Sequence, residues 1–218
     1  MWVAGPARRA PSGVVHGALD LGLHLERGMR VGLFGGSFDP AHDGHGHVAR
    51  TALKRLGLDR VIWLVSPGNP LKPAASSDLD RRVAAARRLA RGSRMIVSDA
   101  EARLAGRYTI DTVRALKARH PGVHFVWIMG ADSLQGFHRW RGWTQLMREI
   151  PVAIVTRPGS ALGSRTAPAA RRFARARLPS CRARLLALAA PPAWTFLRAP
   201  WNFVSSTALR SQAAPDQG

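Results

Sequence analysis

The chain has 218 residues, and its 46% hydrophobic content excludes wholesale disorder and fits one well-packed domain. A single cysteine, Cys181, excludes an internal disulfide framework and makes a reducing compartment, the cytoplasm, the expected location. The formal net charge of +20 favours anionic partners, whether nucleic acid, anionic lipid or small molecules that carry phosphate.

The N-terminal segment, residues 1–28, differs from the rest of the chain. It mixes glycine, proline and arginine with a weak alternation of leucines from Leu19 to Leu25. We predict a poorly ordered leader before a single domain over 29–218, with Met29 as the candidate functional start. No apolar run reaches the roughly 20 residues that a membrane-spanning helix requires, so no membrane partner is expected.

From Arg30 onward, short apolar runs typical of buried strands alternate with helical stretches. The predicted strands are Arg30–Phe34, Val61–Val65, Met95–Val97, His124–Met129 and Val152–Val155. The predicted helices are about Gly44–Leu56, a segment N-capped by Asp78, Thr109–Arg119, Ala167–Arg177 and Ser205–Ser211. Strands joined by helical crossovers form a mostly parallel α/β sheet with helices on both faces. Its ligands are expected beyond the carboxyl ends of the strands.

The basic residues are mostly arginines scattered among alanines, as in the segment 81–88. This pattern predicts a helix with a solvated face. The basic runs also lack the interleaved aromatic residues on which single-stranded nucleic acid stacks. A dedicated nucleic-acid partner is therefore not expected.

The most informative segment follows the first predicted strand. It runs from Gly35 to Pro40 and continues as His42-x-Gly44-His45 at the start of the next helix. Adjacent glycines let the backbone approach a ligand and expose its amides. The two histidines lie three residues apart and share one face of the first turn, and Gly44 leaves the helix amides open to a phosphate. The sequence therefore predicts a nucleotide phosphate site here.

Other readings of this segment are weaker. No Gly-Lys-Ser/Thr follows, so it is not a P-loop, and it does not match the dinucleotide-binding fingerprint. A zinc site formed by His42, His45 and His47 is the metal alternative. His47 would point elsewhere on a helix and no thiolate accompanies it, so no protein metal site is predicted.

The segment from Gly35 to His45 resembles the opening of the nucleotidyltransferase superfamily, and the chain is similar to the bacterial nicotinate-nucleotide adenylyltransferases within it. The resemblance covers about Met29 to Arg210 and includes these later segments in order: Pro67–Lys72, Arg107–Thr112, Gly130–Leu134 with Trp140, Arg157–Gly159 and Ser205–Arg210. It implies a Rossmann-like fold of the nucleotidyltransferase type. It also implies adenylyl transfer from ATP to nicotinate mononucleotide, giving nicotinate adenine dinucleotide and pyrophosphate.

The resemblance also implies a role for individual residues. The catalytic and triphosphate-binding residues would be His42, His45, Lys72 and Arg210. The other ATP-binding residues would be Gly35, Gly36, Ser37, Phe38, Ser205, Ser206 and Thr207. The residues lining the mononucleotide site would be Thr109, Asp132 and Trp140, with Trp201 as a second stacking candidate. Mg²⁺ would be bound mainly through the ATP phosphates, and a homo-oligomer is compatible with the sequence.

Two residues depart from the family pattern, and several assignments have structural alternatives. Leu71 stands where many members have a histidine, and Arg141 follows Trp140 where an aromatic residue is expected. Arg141 would attract an anionic substrate. Asp132 and Thr109 also fit helix caps, Trp140 a core position, and Lys72 and Arg210 solvated charges.

Two alternative functions stay open on the sequence alone. One is a sister nucleotidyltransferase that acts on nicotinamide mononucleotide, phosphopantetheine or glycerol phosphate. The other is a basic RNA-associated protein that keeps the fold without the activity.

Overall fold

The apolar runs of the sequence form the strands of one parallel sheet in the computed structural model, which describes residues 21, 23–67, 78–103, 108–156 and 166–198. The strands within this part of the chain are β1 (Arg30–Gly36), β2 (Arg60–Val65), β3 (Met95–Ser98), β4 (His124–Gly130), β5 (Val152–Thr156) and β6 (Trp194–Arg198).

Helices follow most of these strands. The α-helices are α1 (Asp43–Leu56), α2 (Leu79–Leu89), α3 (Thr109–Arg119), α4 (Ala131–Phe137), α5 (Trp143–Glu149) and α6 (Pro168–Arg172). The 3₁₀ segments are Ala100–Arg103, Ala174–Ala176 and Ser180–Leu188.

The six strands are all parallel and follow the order β3-β2-β1-β4-β5-β6. The chain therefore builds outward from β1 in one direction, then returns to place β4 on the other side of β1. This reversal between β1 and β4 is the topological switch point, where parallel sheets open a crevice beyond the strand ends. The predicted α/β fold is confirmed.

The core lies on both faces of the sheet because side chains alternate along each strand. In β2, Ile62 and Leu64 pack into the layer beneath α3, α4 and α5, whereas Val61, Trp63 and Val65 pack beneath α1 and α2. Buried strands covered on both faces explain the nearly continuous apolar runs in the sequence.

The five predicted strands agree with β1 to β5 to within two residues at each end, and the predicted first and third helices agree with α1 and α3. Asp78 occupies the N-cap position of α2 as predicted but makes no side-chain capping hydrogen bond. The predicted helix Ala167–Arg177 is wrong in length, because α6 ends at Arg172 and a 3₁₀ turn follows. β6, α4 and α5 were not predicted, and Ser205–Ser211 lies outside the described residues.

The N-terminal segment joins the core before Met29. Leu21 and Leu25 are buried, with 5% and 7% of their surfaces exposed, and both belong to the apolar layer beneath α3. The backbone N–H of Gly28 donates to the carbonyl of Gly122 at 2.8 Å. The packed structure thus extends to Leu21, ahead of the boundary predicted at Met29, because the leucine alternation supplies apolar side chains to the core. Residues 1–20 lie outside the described part of the chain.

No helix in the described ranges has the length and apolarity needed to span a bilayer.

A chain that begins at Met29 should be less stable than one that begins just before Leu21. Removing Leu21 and Leu25 exposes the apolar layer that they cover, and we expect a loss of about 3 kcal/mol in the free energy of unfolding. Urea denaturation of both truncated chains measures this difference. Equal midpoints and slopes for the two chains would contradict the packing role of the segment.

Candidate active site

The predicted phosphate-binding segment and the predicted mononucleotide segment meet at the switch point. The turn 35–40 leaves the carboxyl end of β1, and Asp132 follows the carboxyl end of β4. Phe34 of β1 is aligned with Ile128 of β4, so the same register extended by two residues brings Gly36 beside Gly130. The structure therefore brings these two segments together at one edge of the sheet.

Gly35 is required by the packing of Trp127 from the neighbouring strand. A Cβ atom added to Gly35 would lie 2.7 Å from Cζ2 of Trp127 and closer still to Cη2. Trp127 is 1% exposed and its indole ring also meets Trp140 edge to face at 6.3 Å. Any larger residue at position 35 would therefore clash with the Trp127 indole, so the glycine is required by packing as well as by any approach of a ligand.

Phe38 turns the chain between β1 and α1 in a left-handed conformation. Its φ is +49°, which is uncommon for a residue with a bulky side chain. Its ring is 2% exposed and packs edge to face on Phe34 at 5.3 Å and against Trp63 at 5.2 Å. Burial of the ring stabilises this backbone conformation. Phe38 therefore shapes the predicted ATP site from beneath, while its backbone remains part of the turn.

His42 and His45 lie together at the start of α1. His42 is the N-cap residue and is buried, and His45 is half-buried three residues later. Their ring centroids are 3.8 Å apart. The ring of Phe38 borders His45 edge to face at 5.1 Å. The two imidazoles therefore lie side by side at the first turn of α1, as the spacing of the histidines predicts.

A backbone hydrogen bond determines which nitrogen of His45 can donate. The N–H of His42 donates to Nδ1 of His45 at 3.2 Å, so Nδ1 acts as an acceptor. In the neutral imidazole the proton then resides on Nε2. His45 therefore caps the helix with one nitrogen and carries its N–H on the other, and an N–H is the kind of group that binds a phosphate oxygen.

One functional candidate, Arg82 of α2, escaped the sequence prediction. The segment 81–88 was expected to form a solvated face, but Arg82 is 3% exposed and its guanidinium donates to the carbonyls of Ser37, Ser66 and Pro67. A signal was available, since Arg82 shares the i, i+3, i+4 helix face of Leu79 and the buried Val83.

The three residues predicted to line the mononucleotide site lie at the starts of α3 and α4 and in the turn after α4. Thr109 is the first residue of α3 and is half-buried, and Asp132 is exposed in the first turn of α4. Trp140 is half-buried, with its ring edge to face on Phe137 at 5.3 Å. Trp140 is therefore partly a core residue and partly an accessible aromatic surface.

Arg141, which stands where the family pattern has an aromatic residue, is itself held by an aromatic neighbour, Tyr108. Its guanidinium lies 4.7 Å from the ring centroid of Tyr108, and Nη1 donates to the Tyr108 hydroxyl at 3.3 Å. Tyr108 precedes Thr109 at the start of α3. The two segments thus place a cation beside Thr109 and Trp140.

Several predicted site residues lie outside the described part of the chain. These are Lys72, Ser205, Ser206, Thr207 and Arg210, together with Leu71, Arg157–Gly159 and Trp201. The described residues contain no group of three or more His, Cys, Asp or Glu side chains that could hold a metal ion.

Glu101 has an unusual environment near the start of α3. Burial of its carboxyl raises the pKa of Glu101 from the ordinary 4.5 to about 7, and a hydrogen bond with the side chain of Thr112 opposes part of that rise. Thr112 is itself buried within α3. This contact ties the 3₁₀ segment Ala100–Arg103 to the helix that begins at Thr109.

The family comparison and the sequence relatives identify the chain as a nucleotidyltransferase. The cytidylyltransferase-like family model matches residues 33–212. The structure of Plasmodium falciparum nicotinic acid mononucleotide adenylyltransferase complexed with NaAD has the same fold, with a TM-score of 0.62 at 16% identity over 87% of this chain and 86% of that chain. The same Plasmodium protein complexed with APC gives a TM-score of 0.59.

Sequence relatives narrow the class. The "Probable nicotinate-nucleotide adenylyltransferase" of Caulobacter sp. (strain K31) is 66% identical over 185 residues, which are 84% of this chain and 98% of the relative. Proteins with the same name from Cereibacter sphaeroides (strain ATCC 17025) and Methylorubrum extorquens (strain PA1) are 57% and 55% identical, over 84% of this chain and 97% and 100% of theirs. The chain therefore belongs to the nicotinate-nucleotide adenylyltransferases, which confirms the predicted family.

Replacing Glu101 by Gln should change how stability depends on pH. The folded state of the parent binds one more proton than the unfolded state between pH 4.5 and about 7, so this group makes the free energy of unfolding fall as pH rises through that window. Glu101→Gln removes that fall. Relative to the parent, the free energy of unfolding of the variant should rise by about 3 kcal/mol between pH 4 and pH 8.

Urea denaturation at both pH values measures the gain, with Glu26→Gln at an exposed glutamate as the matched control. A difference between variant and parent that stays constant with pH would contradict the assigned environment.

Proposed function

We propose that this nicotinate-nucleotide adenylyltransferase transfers the adenylyl group of ATP to nicotinate mononucleotide, with release of pyrophosphate, at the crevice between β1 and β4, and that the turn 35–38, His42 and His45 hold the triphosphate. The observation that carries the assignment of the site is the His42–His45 pair at the start of α1, where the His42 N–H donates to Nδ1 of His45 and the neutral ring therefore carries its proton on Nε2.

The reaction is a direct displacement at phosphorus. An oxygen of the 5′-phosphate of nicotinate mononucleotide attacks the α-phosphorus of ATP and forms a new P–O bond. The bond from the α-phosphorus to the oxygen that bridges to the β-phosphate breaks, and pyrophosphate leaves with that electron pair. A phosphate monoester is largely ionised at neutral pH because its second pKa is about 6, so no general base has to activate it.

Catalysis then depends on orienting two polyanions and neutralising charge as pyrophosphate leaves. The amides at the start of α1 and the positive end of its dipole favour phosphate oxygens. His45 donates from Nε2 and His42 lies beside it on the same turn. Lys72 and Arg210 stay predicted as additional cations that reach the phosphates, and Ser205–Thr207 as ATP-binding residues.

The described residues suit phosphate oxygens better than a metal ion, since they supply N–H donors rather than a cluster of carboxylates. A divalent cation such as Mg²⁺, bound mainly through the ATP phosphates, would neutralise part of the triphosphate charge. The protein groups named above would hold the outer phosphate oxygens.

On the mononucleotide side, the exposed face of Trp140 is suited to stack on the pyridine ring, and Asp132 to accept hydrogen bonds from the ribose hydroxyls. Thr109 lines the same half of the crevice. The basic character of the chain would attract both anionic substrates, and the cytoplasm, where both occur, is the proposed location.

Pyrophosphate release by the purified protein with ATP and Mg²⁺ tests the proposed substrate. The acceptors compared are nicotinate mononucleotide, nicotinamide mononucleotide and phosphopantetheine. We expect preferential turnover of the nicotinate nucleotide. Preferential release with another acceptor would overturn the substrate, and no release with any acceptor, together with salt-sensitive RNA binding, would favour the RNA-associated alternative.

Replacing His45 by Asn separates helix capping from catalysis. The Asn side-chain oxygen can accept the His42 N–H in place of Nδ1, but no group replaces Nε2–H. We expect kcat to fall about 100- to 1000-fold while the melting temperature stays near that of the parent.

His47→Asn, two residues further along α1, is the matched control and should keep parental turnover. Parental kcat in His45→Asn would refute the donor role of Nε2.

Replacing Arg141 by Gln tests recognition of the nicotinate carboxylate. Loss of this cation should raise KM for nicotinate mononucleotide about tenfold and leave KM for nicotinamide mononucleotide nearly unchanged, because only the first carries a negative charge on the pyridine ring. Arg139→Gln, an exposed arginine two residues earlier, is the control. An equal effect on both nucleotides would show that Arg141 does not read the carboxylate.

A further inference from the structure

Arg82 differs from the other arginines of its segment. Arg81, Arg87 and Arg88 are exposed, whereas Arg82 is 3% exposed and reaches the turns that follow β1 and β2. Burying a guanidinium is costly unless its N–H groups are hydrogen-bonded. The partners that compensate this burial therefore indicate what the residue does.

Those partners belong to two different turns of the candidate site. Nη1 donates to the carbonyl of Ser37 at 2.8 Å and to the carbonyl of Ser66 at 2.7 Å, and Nη2 donates to the carbonyl of Pro67 at 3.2 Å. Ser37 lies in the turn after β1, and Ser66 and Pro67 follow β2. One planar guanidinium thus joins the carboxyl ends of adjacent strands.

A second hydrogen bond reinforces the same junction. The N–H of Ser66 donates to the carbonyl of Gly36 at 3.0 Å. The turn after β1 is therefore held to the end of β2 through two consecutive carbonyls, those of Gly36 and Ser37. Movement of one turn without the other would break these contacts together.

The contact with Ser37 also fixes the direction of the next amide. The peptide bond between Ser37 and Phe38 is trans, so its carbonyl and its N–H point in opposite directions. Because Arg82 binds the carbonyl, the N–H of Phe38 must point away from the guanidinium. The left-handed φ of Phe38 then carries the chain on toward His42.

We propose that Arg82 is a positioning residue for ATP: it holds the β1 and β2 turns as one unit and aims the Phe38 amide and the start of α1 at the polyphosphate. This inference rests on the proposed adenylyl transfer. Arg82 itself does not have to touch the nucleotide.

A positioning role and a general stabilising role predict different kinetics. If Arg82 positions the turns at the ATP site, its loss should weaken the use of ATP more than the use of the mononucleotide. ATP binds against the turn that Arg82 holds, whereas nicotinate mononucleotide lies toward Thr109 and Trp140. In Arg82→Met, kcat/KM for ATP should fall about 100-fold, while KM for the mononucleotide at saturating ATP should change less than about twofold.

Arg82→Lys should lie between Arg82→Met and the parent. An ammonium group keeps the charge, but it cannot bridge the three carbonyls with the planar geometry of a guanidinium. Arg81→Met and Arg81→Lys are the matched controls on the same helix, and both should retain parental kinetics because Arg81 is exposed.

The experiment combines steady-state kinetics for both substrates with calorimetric ATP binding and thermal melting of the full-length chain. An ATP-selective loss in Arg82→Met, partly restored in Arg82→Lys, would support the proposal. Kinetics like those of the Arg81 variants would overturn it. A rise in KM for the mononucleotide as large as the fall in kcat/KM for ATP would also overturn it, because a general structural role predicts that result.

Two further results remain interpretable. If Arg82→Met does not fold, the comparison of Arg82→Lys with Arg81→Lys carries the same test. If the parent chain turns over no mononucleotide, the proposed reaction is refuted, but the ATP affinities measured by calorimetry still test the role of Arg82. Weaker ATP binding in Arg82→Lys than in Arg81→Lys would support it, and equal ATP affinity would refute it.

Discussion

The close packing of Trp127 against Gly35 is the constraint on which the site depends. Trp127 belongs to β4 and Gly35 to β1, the two strands that flank the switch point of the sheet. Because glycine leaves room for the indole, the end of β1 lies directly over it. The same indole supports Trp140, which is predicted to line the mononucleotide site. One buried side chain therefore fixes the position of both the end of β1 and Trp140.

Around this contact, backbone and imidazole groups are positioned mainly by burial. The ring of Phe38 holds a left-handed turn, Phe34 and Phe38 border His45, and Arg82 holds two turns through their carbonyls. A displacement reaction between two phosphates has little need for a nucleophile or base of the protein. Rigid placement of hydrogen-bond donors is what such a reaction requires, and these contacts provide it.

The sequence predicts the parts of this site that depend on local pattern. The apolar run of β1, the glycines that end it and the spacing of His42 and His45 predict the strand, the turn after it and the pair of imidazoles at the start of α1, because each follows from strand or helix periodicity. The burial of Arg82 depends on carbonyls 15 to 45 residues away and was predicted wrongly as a solvated charge. β6 escaped prediction because it directly follows a segment with two prolines. The contribution of Leu21 and Leu25 depends on a core surface formed much later in the chain.

The stereochemical course at the α-phosphorus of ATP tests the central claim, direct transfer between two bound phosphates with no covalent enzyme intermediate. The measurement uses a single diastereomer of ATP with sulfur in place of one non-bridging α-phosphate oxygen, and nicotinate mononucleotide as acceptor. One in-line displacement predicts inversion of configuration at phosphorus in the dinucleotide product. Retention of configuration would require two displacements through an adenylylated side chain and would contradict the account.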